Sequence, residues 1–460
     1  MPTSPSPFAI RNIRLFIAFR VFFNSRFYYP VFTILFLDFG ISIQQFALLN
    51  VVWAATIVLA EVPSGALADI LGRKKMLVIA GVLMVLEMVL LCFAPRGNPD
   101  LLFAVFLANR ILSGIAEASA SGADEAIAYD SLKQFGNSED WGLVLERQVR
   151  YRSFGFIVAM TTGAAVYDPE LMRNLFGHLQ IPVAITQDTT LRFPLFLTLI
   201  MAVMTLTAAL HMEEETGAGG RSASPANSLK AWYQSIVDAF ALTLNAGRWI
   251  YRSSAALVLI CAGMMFDHVI RMFITLGSQY YRTIDLPEAS FGIIGSGLAL
   301  LGLVLPRLAR ILIRKTTPFV NFILLSGMTL TGLAGITFTR PVAGLVPVVL
   351  LYAAMYMASF FLSNYLNRIT SSAQRATVLS FKGMSYNLAY GIIGILYSML
   401  LARMRPGVMA RHPGLETAGI EDLLFVQSIQ WFPLYFLAIW ICFLVFSKIR
   451  IRQTDSRWWE

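Results

Sequence analysis

Long apolar runs broken by short polar turns pattern almost the whole chain. A bilayer core takes about 20 apolar residues per crossing helix. On that ruler helices fall near 13–37, 46–68, 75–94, 100–127, 149–168, 191–211, 250–280, 289–308, 318–338, 342–366, 377–402 and 427–447. The pattern predicts an all-α membrane protein with twelve transmembrane helices. Composition agrees: 57% of residues are hydrophobic and 14% charged, with a mean hydropathy of +0.65. Soluble domains run near half apolar and a quarter charged. The first run, Leu15–Leu37, is too long and too interrupted for a signal peptide and lacks a small-residue cleavage site, so it reads as a retained first helix.

Charge changes the picture only by setting orientation. The net charge is +9, but the basic residues sit in short loops between apolar runs rather than in a patch for a polyanion, so no nucleic-acid partner is expected. With the amino terminus inside, the inner loops hold Arg73–Lys75, Lys133, Arg147, Arg150, Arg307, Arg310, Arg314 and Lys315. Outer loops hold far fewer, chiefly Arg96, Arg173, Arg282, Arg340 and the cluster Arg403, Arg405 and Arg411. The positive-inside bias therefore predicts a multi-pass protein of the plasma (inner) membrane with both termini cytoplasmic. The three cysteines, Cys92, Cys261 and Cys442, are isolated within apolar runs and show neither metal-ligand spacing nor a disulfide framework.

The segment 212–248 divides the chain. It opens on Glu213, Glu214 and Glu215, passes through the Gly/Ser/Ala/Pro stretch Gly217–Asn227, and then places Leu229, Trp232, Ile236, Phe240 and Leu244 at helical spacing. An amphipathic helix lying on the inner membrane face fits that spacing, and so does a solvated linker helix. The expected organisation is an N-terminal bundle of six helices over 1–211, a cytoplasmic linker over 212–248, and a C-terminal bundle of six over 249–460. The basic run Arg307–Lys315 after the eighth helix echoes Arg73–Lys75 after the second, which supports two pseudo-symmetric halves.

The hairpin Glu61–Lys75 carries the most specific motif. Gly65, Asp69, Gly72, Arg73 and Lys74 lie between two apolar runs, and the pattern resembles the Gly-x-x-x-Asp-x-x-Gly-Arg-Lys loop of the major facilitator superfamily. Gly65 is expected to let its helix approach a neighbour, Gly72 to allow a tight turn, and Asp69 to pair with Arg73 or cap a helix. The resemblance implies that this loop is a conformational latch. Ile70 stands where the family often has a basic residue. Arg110-x-x-x-Gly114 likewise resembles the family's fourth-helix signature, linked there to proton coupling, with Ser113 in place of the usual glutamine.

Intramembrane polar residues supply the candidate chemistry, since a charge at mid-bilayer costs about 3 kcal/mol or more unless paired or hydrated. Arg110, Gly114, Glu117, Ser121 and Asp124 share one face of a continuous fourth helix. Asp267, His268 and Arg271 lie on the seventh, where Asp267 and Arg271 are one turn apart and His268 is a candidate proton carrier. A structural ion pair with a satisfied histidine fits the same spacing. Arg20 and Asn24 share a face of the first helix, followed by Tyr28, Tyr29 and Pro30, with Pro30 positioned to kink it. Ser359, Ser363 and Asn367 form a polar stripe on the tenth, and Lys382 opens the eleventh. The resembled fold lines its central cavity with helices 1, 4, 7 and 10, where these stripes fall.

These readings converge on a secondary transporter that moves a small organic solute by alternating access. Proton-coupled export is the first expectation, resembling drug–proton antiporters, with Glu117, Asp267, His268 and Arg110 as coupling residues. Cavity candidates are Arg20, Asn24, Tyr28, Ser121, Asp124, Arg271, Ser363 and Asn367. Uptake of an anionic nutrient or metabolite through Arg20, Arg26 and Arg110 is the alternative, and a non-transporting sensor or scaffold on the same fold is the second. No nucleotide-binding loop, metal cluster or assembled nucleophile occurs, so no enzyme activity and no cofactor are expected, and a proton gradient is the expected energy source. The expected partners are the lipid bilayer, the solute and protons, with a functional monomer.

Overall fold

The computed structural model describes residues 6–180, 184–214, 225–370 and 372–452. Among these residues all regular structure is helical. The α-helices are α1 (Arg11–Asn24), α2 (Phe32–Phe39), α3 (Ile43–Leu71), α4 (Arg73–Cys92), α5 (Pro99–Ala120), α6 (Ala123–Phe135), α7 (Trp141–Tyr167), α8 (Pro169–His178), α9 (Gln187–Thr190) and α10 (Phe193–His211). They continue as α11 (Pro225–Arg252), α12 (Ser254–Thr275), α13 (Gly277–Thr283), α14 (Ser290–Lys315), α15 (Pro318–Ile336), α16 (Leu345–Ile369), α17 (Ser372–Arg411), α18 (Thr417–Ile429) and α19 (Trp431–Arg452). Ten candidate spans, some made of two successive helices, are long and apolar enough to cross a bilayer. The pair α1–α2, broken between its halves, and α7, which carries Glu146, Arg147, Arg150 and Arg152 in its first half, complete the expected twelve.

Four expected helices are interrupted, the twelfth of them near its start, at Gln430 between α18 and α19. The first breaks over Ser25–Tyr28, just before Pro30, whose ring cannot continue a helix, so a kink becomes a full break. The fourth breaks at Ser121–Gly122, where Gly122 adopts φ +76°, a left-handed conformation that glycine tolerates without steric cost. The expected continuous face from Arg110 to Asp124 is therefore split, with Asp124 at the start of α6. The seventh ends at Thr275, and α13 resumes at Gly277.

By its contacts the chain divides into two units: Met1–Ile41, Val52–Phe240 and Pro287–Ser296 in the first, and Ser42–Val51, Ala241–Leu286 and Gly297–Glu460 in the second. In the first, α4 packs against α5 and α10, and α1 packs against α7 and α10. In the second, α15 packs against α16 and α19, and α12 packs against α17 and α19. The correspondence is position for position, so two pseudo-symmetric bundles emerge from helix pairing even though the sequence repeat is faint.

The linker helix is longer than the 229–244 stretch expected of it, running over α11 as Pro225–Arg252. Tyr233, Val237, Phe240, Leu244 and Tyr251 are exposed along it, at the three- and four-residue spacing of one helical face. The side chains of Leu229 and Trp232 lie outside the described residues, as do 215–224.

Candidate transport site

In the first unit the charged residues are drawn together across helices. Arg20 of α1 forms an ion pair with Asp124, its Nη2 donating to Oδ1 at 3.0 Å, and the same nitrogen donates to Oε1 of Glu125 at 3.0 Å. Asp124 is 1% exposed, and the break at Gly122 turns α6 so that this acid meets α1. Asn24 is occupied by its own helix, donating to the Arg20 carbonyl at 2.7 Å. Arg26, in the break after α1, forms a buried ion pair with Glu87 of α4, and Nδ2 of Asn109 donates to the Glu87 carbonyl at 3.1 Å. The Tyr28 hydroxyl accepts from Arg26 Nη1 at 3.5 Å, so that buried ring belongs to this pair.

Arg110 and Glu117, both on α5, have different surroundings. The Arg110 guanidinium lies over the Phe32 and Phe36 rings at 5.1 and 5.2 Å, donates through Nε to Asn109 Oδ1 at 3.1 Å, and leaves Nη2 buried without a hydrogen bond. It forms no ion pair with Glu117; Arg26 and Arg20 attract that carboxylate instead, and Glu87 repels it. Glu117 is exposed and its carboxylate makes no hydrogen bond or ion pair among the described residues, although it sits within an apolar span. Ser121, at the C-terminal end of α5, is exposed as well.

In the second unit Arg271 of α12 is the hub. It pairs with Asp267 at 3.3 Å, donates to Asn387 Oδ1 at 3.1 Å and to the Tyr386 carbonyl at 2.9 Å, and lies 4.2 Å over the Tyr390 ring. Lys382 sits 5.2 Å over the Tyr386 ring. His268 does not join this group. It contacts the Met264 carbonyl through Nδ1 at 2.5 Å and the Tyr435 hydroxyl of α19 through Nε2 at 3.0 Å. Adjacent positions on a helix point about 100° apart, so Asp267 addresses α17 while His268 addresses α19. Asn367 and Ser363 satisfy each other one turn apart on α16, with Asn367 Nδ2 donating to the Ser363 carbonyl at 2.8 Å. Sequence reasoning missed Tyr435, for which no local signal exists, and the pairing of Glu87 with Arg26.

The hairpin motif has a defined anchor. Gly72 has φ +98°, a turn that glycine permits, and opens α4. Glu214 accepts from the backbone amides of Arg73 at 2.8 Å and Lys74 at 3.0 Å, placing an anion at a helix N-terminus. The Arg73 side chain pairs with Asp130 of α6. The side chain of Asp69 lies outside the described residues. Gly65 departs from expectation: it is exposed, and a Cβ there would meet nothing within 4 Å, so it permits no close helix approach. That role falls to Gly114, where a Cβ would come within 2.8 Å of Thr56 on α3. Among the described residues no group of three His, Cys, Asp or Glu could hold a metal ion.

Residues 14–138 match the family model described as Major Facilitator Superfamily. No curated protein matches the chain in sequence. Among solved structures, a bacterial homologue of the human lysosomal transporter Spinster, inward-facing and unoccupied, is similar over 99% of both chains at 13% identity with a TM-score of 0.70. The nucleoside transporter NupG is similar over 95% of this chain and 98% of that one, at 15% identity and a TM-score of 0.66. The xylose transporter XylE from E. coli, inward open, is similar over 93% and 95%, at 13% identity and a TM-score of 0.57. From the spans, the paired bundles and these likenesses, the chain has the fold of the major facilitator superfamily transporters, and residues 14–138 match that superfamily by sequence as well.

Proposed function

We propose that the chain is a proton-coupled secondary transporter that exports a small organic solute by alternating access. Glu117 carries this reading. Most acids on the same and neighbouring spans are held by arginines, as Glu87 is by Arg26 and Asp124 by Arg20. Glu117 is exposed and free of direct partners, yet within the field of Arg26 and Arg20. A carboxylate so placed can take and release a proton without breaking an ion pair, which is what coupling needs. Asp267 is the matching acid of the second unit, held by a single pair at 3.3 Å. A D-xylose–proton symporter is among the solved structures of similar fold, which supports coupling on this scaffold. The protein works as a monomer in the plasma membrane, with both termini in the cytoplasm.

The test is flux in proteoliposomes under an imposed pH gradient. Expected are transport that follows the gradient and uncoupling by Glu117→Gln, with Asp267→Asn reducing turnover. Flux that ignores the gradient and survives both substitutions would sink the proposal. Arg110 favours a second reading, uptake of an anionic metabolite. Its buried Nη2 has donor capacity to spare, and a guanidinium over two aromatic rings can receive a carboxylate or phosphate. Preference for anionic over cationic solutes, abolished by Arg110→Gln, would select it.

A further inference from the structure

The first unit has a lateral groove that the transport chemistry does not use. It is about 620 Å³ in volume and lies between α1 and α7, floored by Met201 of α10. Val21 and Phe22 line one wall, and Phe154 and Val158 the other. Gly155 lets α7 pack closely on α1 along the groove, since a Cβ there would come within 2.9 Å of Val21. One end carries two cations, Arg14 and Arg147. Arg14 is exposed, and Arg147 stacks on the Phe8 ring at 3.7 Å. Neither forms an ion pair among the described residues, whereas nearby Arg11 and Arg150 are paired with Glu213 and Glu146.

We propose that this groove is a binding site for one anionic phospholipid, with its phosphate between Arg14 and Arg147 and one acyl chain along the apolar walls. Charge sign and length both point to this occupant. Two guanidinia without carboxylates match a phosphodiester oxygen pair. From Arg14 to Ser25 along α1, and from Arg147 to Val158 along α7, the rise is about 16 Å at 1.5 Å per residue. Half of a hydrocarbon core about 30 Å thick is about 15 Å, the depth an acyl chain occupies in one leaflet. The cations would therefore sit at headgroup level while the walls run to the midplane, on the side of the amino terminus. A free phosphate would engage the arginines but gain nothing from the walls.

The experiment uses the purified full chain, delipidated in detergent, and native mass spectrometry with phosphatidylglycerol and phosphatidylcholine of identical acyl chains. Expected is retention of one phosphatidylglycerol in clear preference to phosphatidylcholine. Near-surface electrostatics predict a loss of about fivefold in that preference for each arginine removed. Arg14→Gln/Arg147→Gln should therefore bring the two lipids close to parity. If that pair of changes lowers the yield of folded protein, the single reversal Arg14→Glu, at an exposed position, tests the same point. Arg310→Gln/Arg314→Gln, an equal loss of charge elsewhere, should keep the preference, and excess inorganic phosphate should not displace the lipid. Equal binding of the two lipids, a preference that survives the Arg14 changes, an equal loss in the Arg310/Arg314 control, or displacement by phosphate would each overturn the proposal.

Discussion

Arg26 and Glu87 form an ion pair in which the arginine is 3% exposed and the glutamate fully buried. The pair ties the break after α1 to the C-terminal half of α4, and Asn109 of α5 adds a hydrogen bond to the same stretch. A buried charge left alone costs about 3–5 kcal/mol, whereas removing both partners is often neutral or better. Glu87→Gln should therefore lower the melting temperature in detergent more than Arg26→Met/Glu87→Met does. Equal melting of the two variants would mean that the pair contributes through shape rather than charge.

Gly163 and Gly65 make a contrast in close packing. A Cβ at Gly163 would sit 1.7 Å from the Phe27 carbonyl oxygen, so α7 passes directly against the backbone of the α1–α2 break. At Gly65 the same Cβ meets nothing. Gly163→Val should abolish folded protein or cost several kcal/mol, because backbone cannot yield as a side chain can. Gly65→Val should melt close to the unsubstituted protein. The comparison is read by thermal unfolding of both in one detergent.

Ten crossings were legible because bilayer burial forces long apolar runs, and the Pro30 break was announced by a residue that cannot continue a helix. The break at Gly122 was less legible: a lone glycine in an apolar run is compatible with a continuous helix, and only its φ of +76° reveals the turn. The pairings of the site were hidden for a different reason. Arg26 and Glu87 are 61 positions apart and His268 and Tyr435 are 167 apart, so nothing in local periodicity joins them. Arg20 was legible as a polar residue on the first helix, but its capture by Asp124 depends on the Gly122 turn. Same-helix spacing identified Asp267–Arg271, whose partners are one turn apart, but not the contacts of Arg271 to Asn387 and Tyr386.

Arg271 engages four groups at once: the Asp267 carboxylate, the Asn387 amide oxygen, the Tyr386 carbonyl and the Tyr390 ring. A planar guanidinium can do this and an ammonium cannot. Arg271→Lys should therefore behave like a loss, not like a conservative change. A fall in flux of about tenfold or more is expected, together with lowered thermal stability that Asn387→Ala does not worsen additively, because the two residues share one contact. Additive losses in the double variant would show that Arg271 acts independently of α17.

Arg73 offers the sharpest test of the hairpin. Its side chain pairs with Asp130 on α6 while its amide is held by Glu214 at the start of α4, so a single residue joins the turn to two other elements. Both partners are about a third exposed, so the pair contributes little to stability, about 1 kcal/mol or less. If the hairpin is a conformational latch, its loss must show in turnover instead. Arg73→Gln and Asp130→Asn should each slow flux while leaving solute binding and melting temperature nearly unchanged. The double variant should be no slower than either single change, since both remove the same contact. Gly72→Ala attacks the other anchor. Its Cβ would fall 2.6 Å from the Glu214 carboxylate at a backbone angle that disfavours alanine, so it should slow flux by displacing the cap even with Arg73 and Asp130 intact. An equal loss of binding and turnover in these variants would place the hairpin among the residues that shape the solute site and remove its role as a latch.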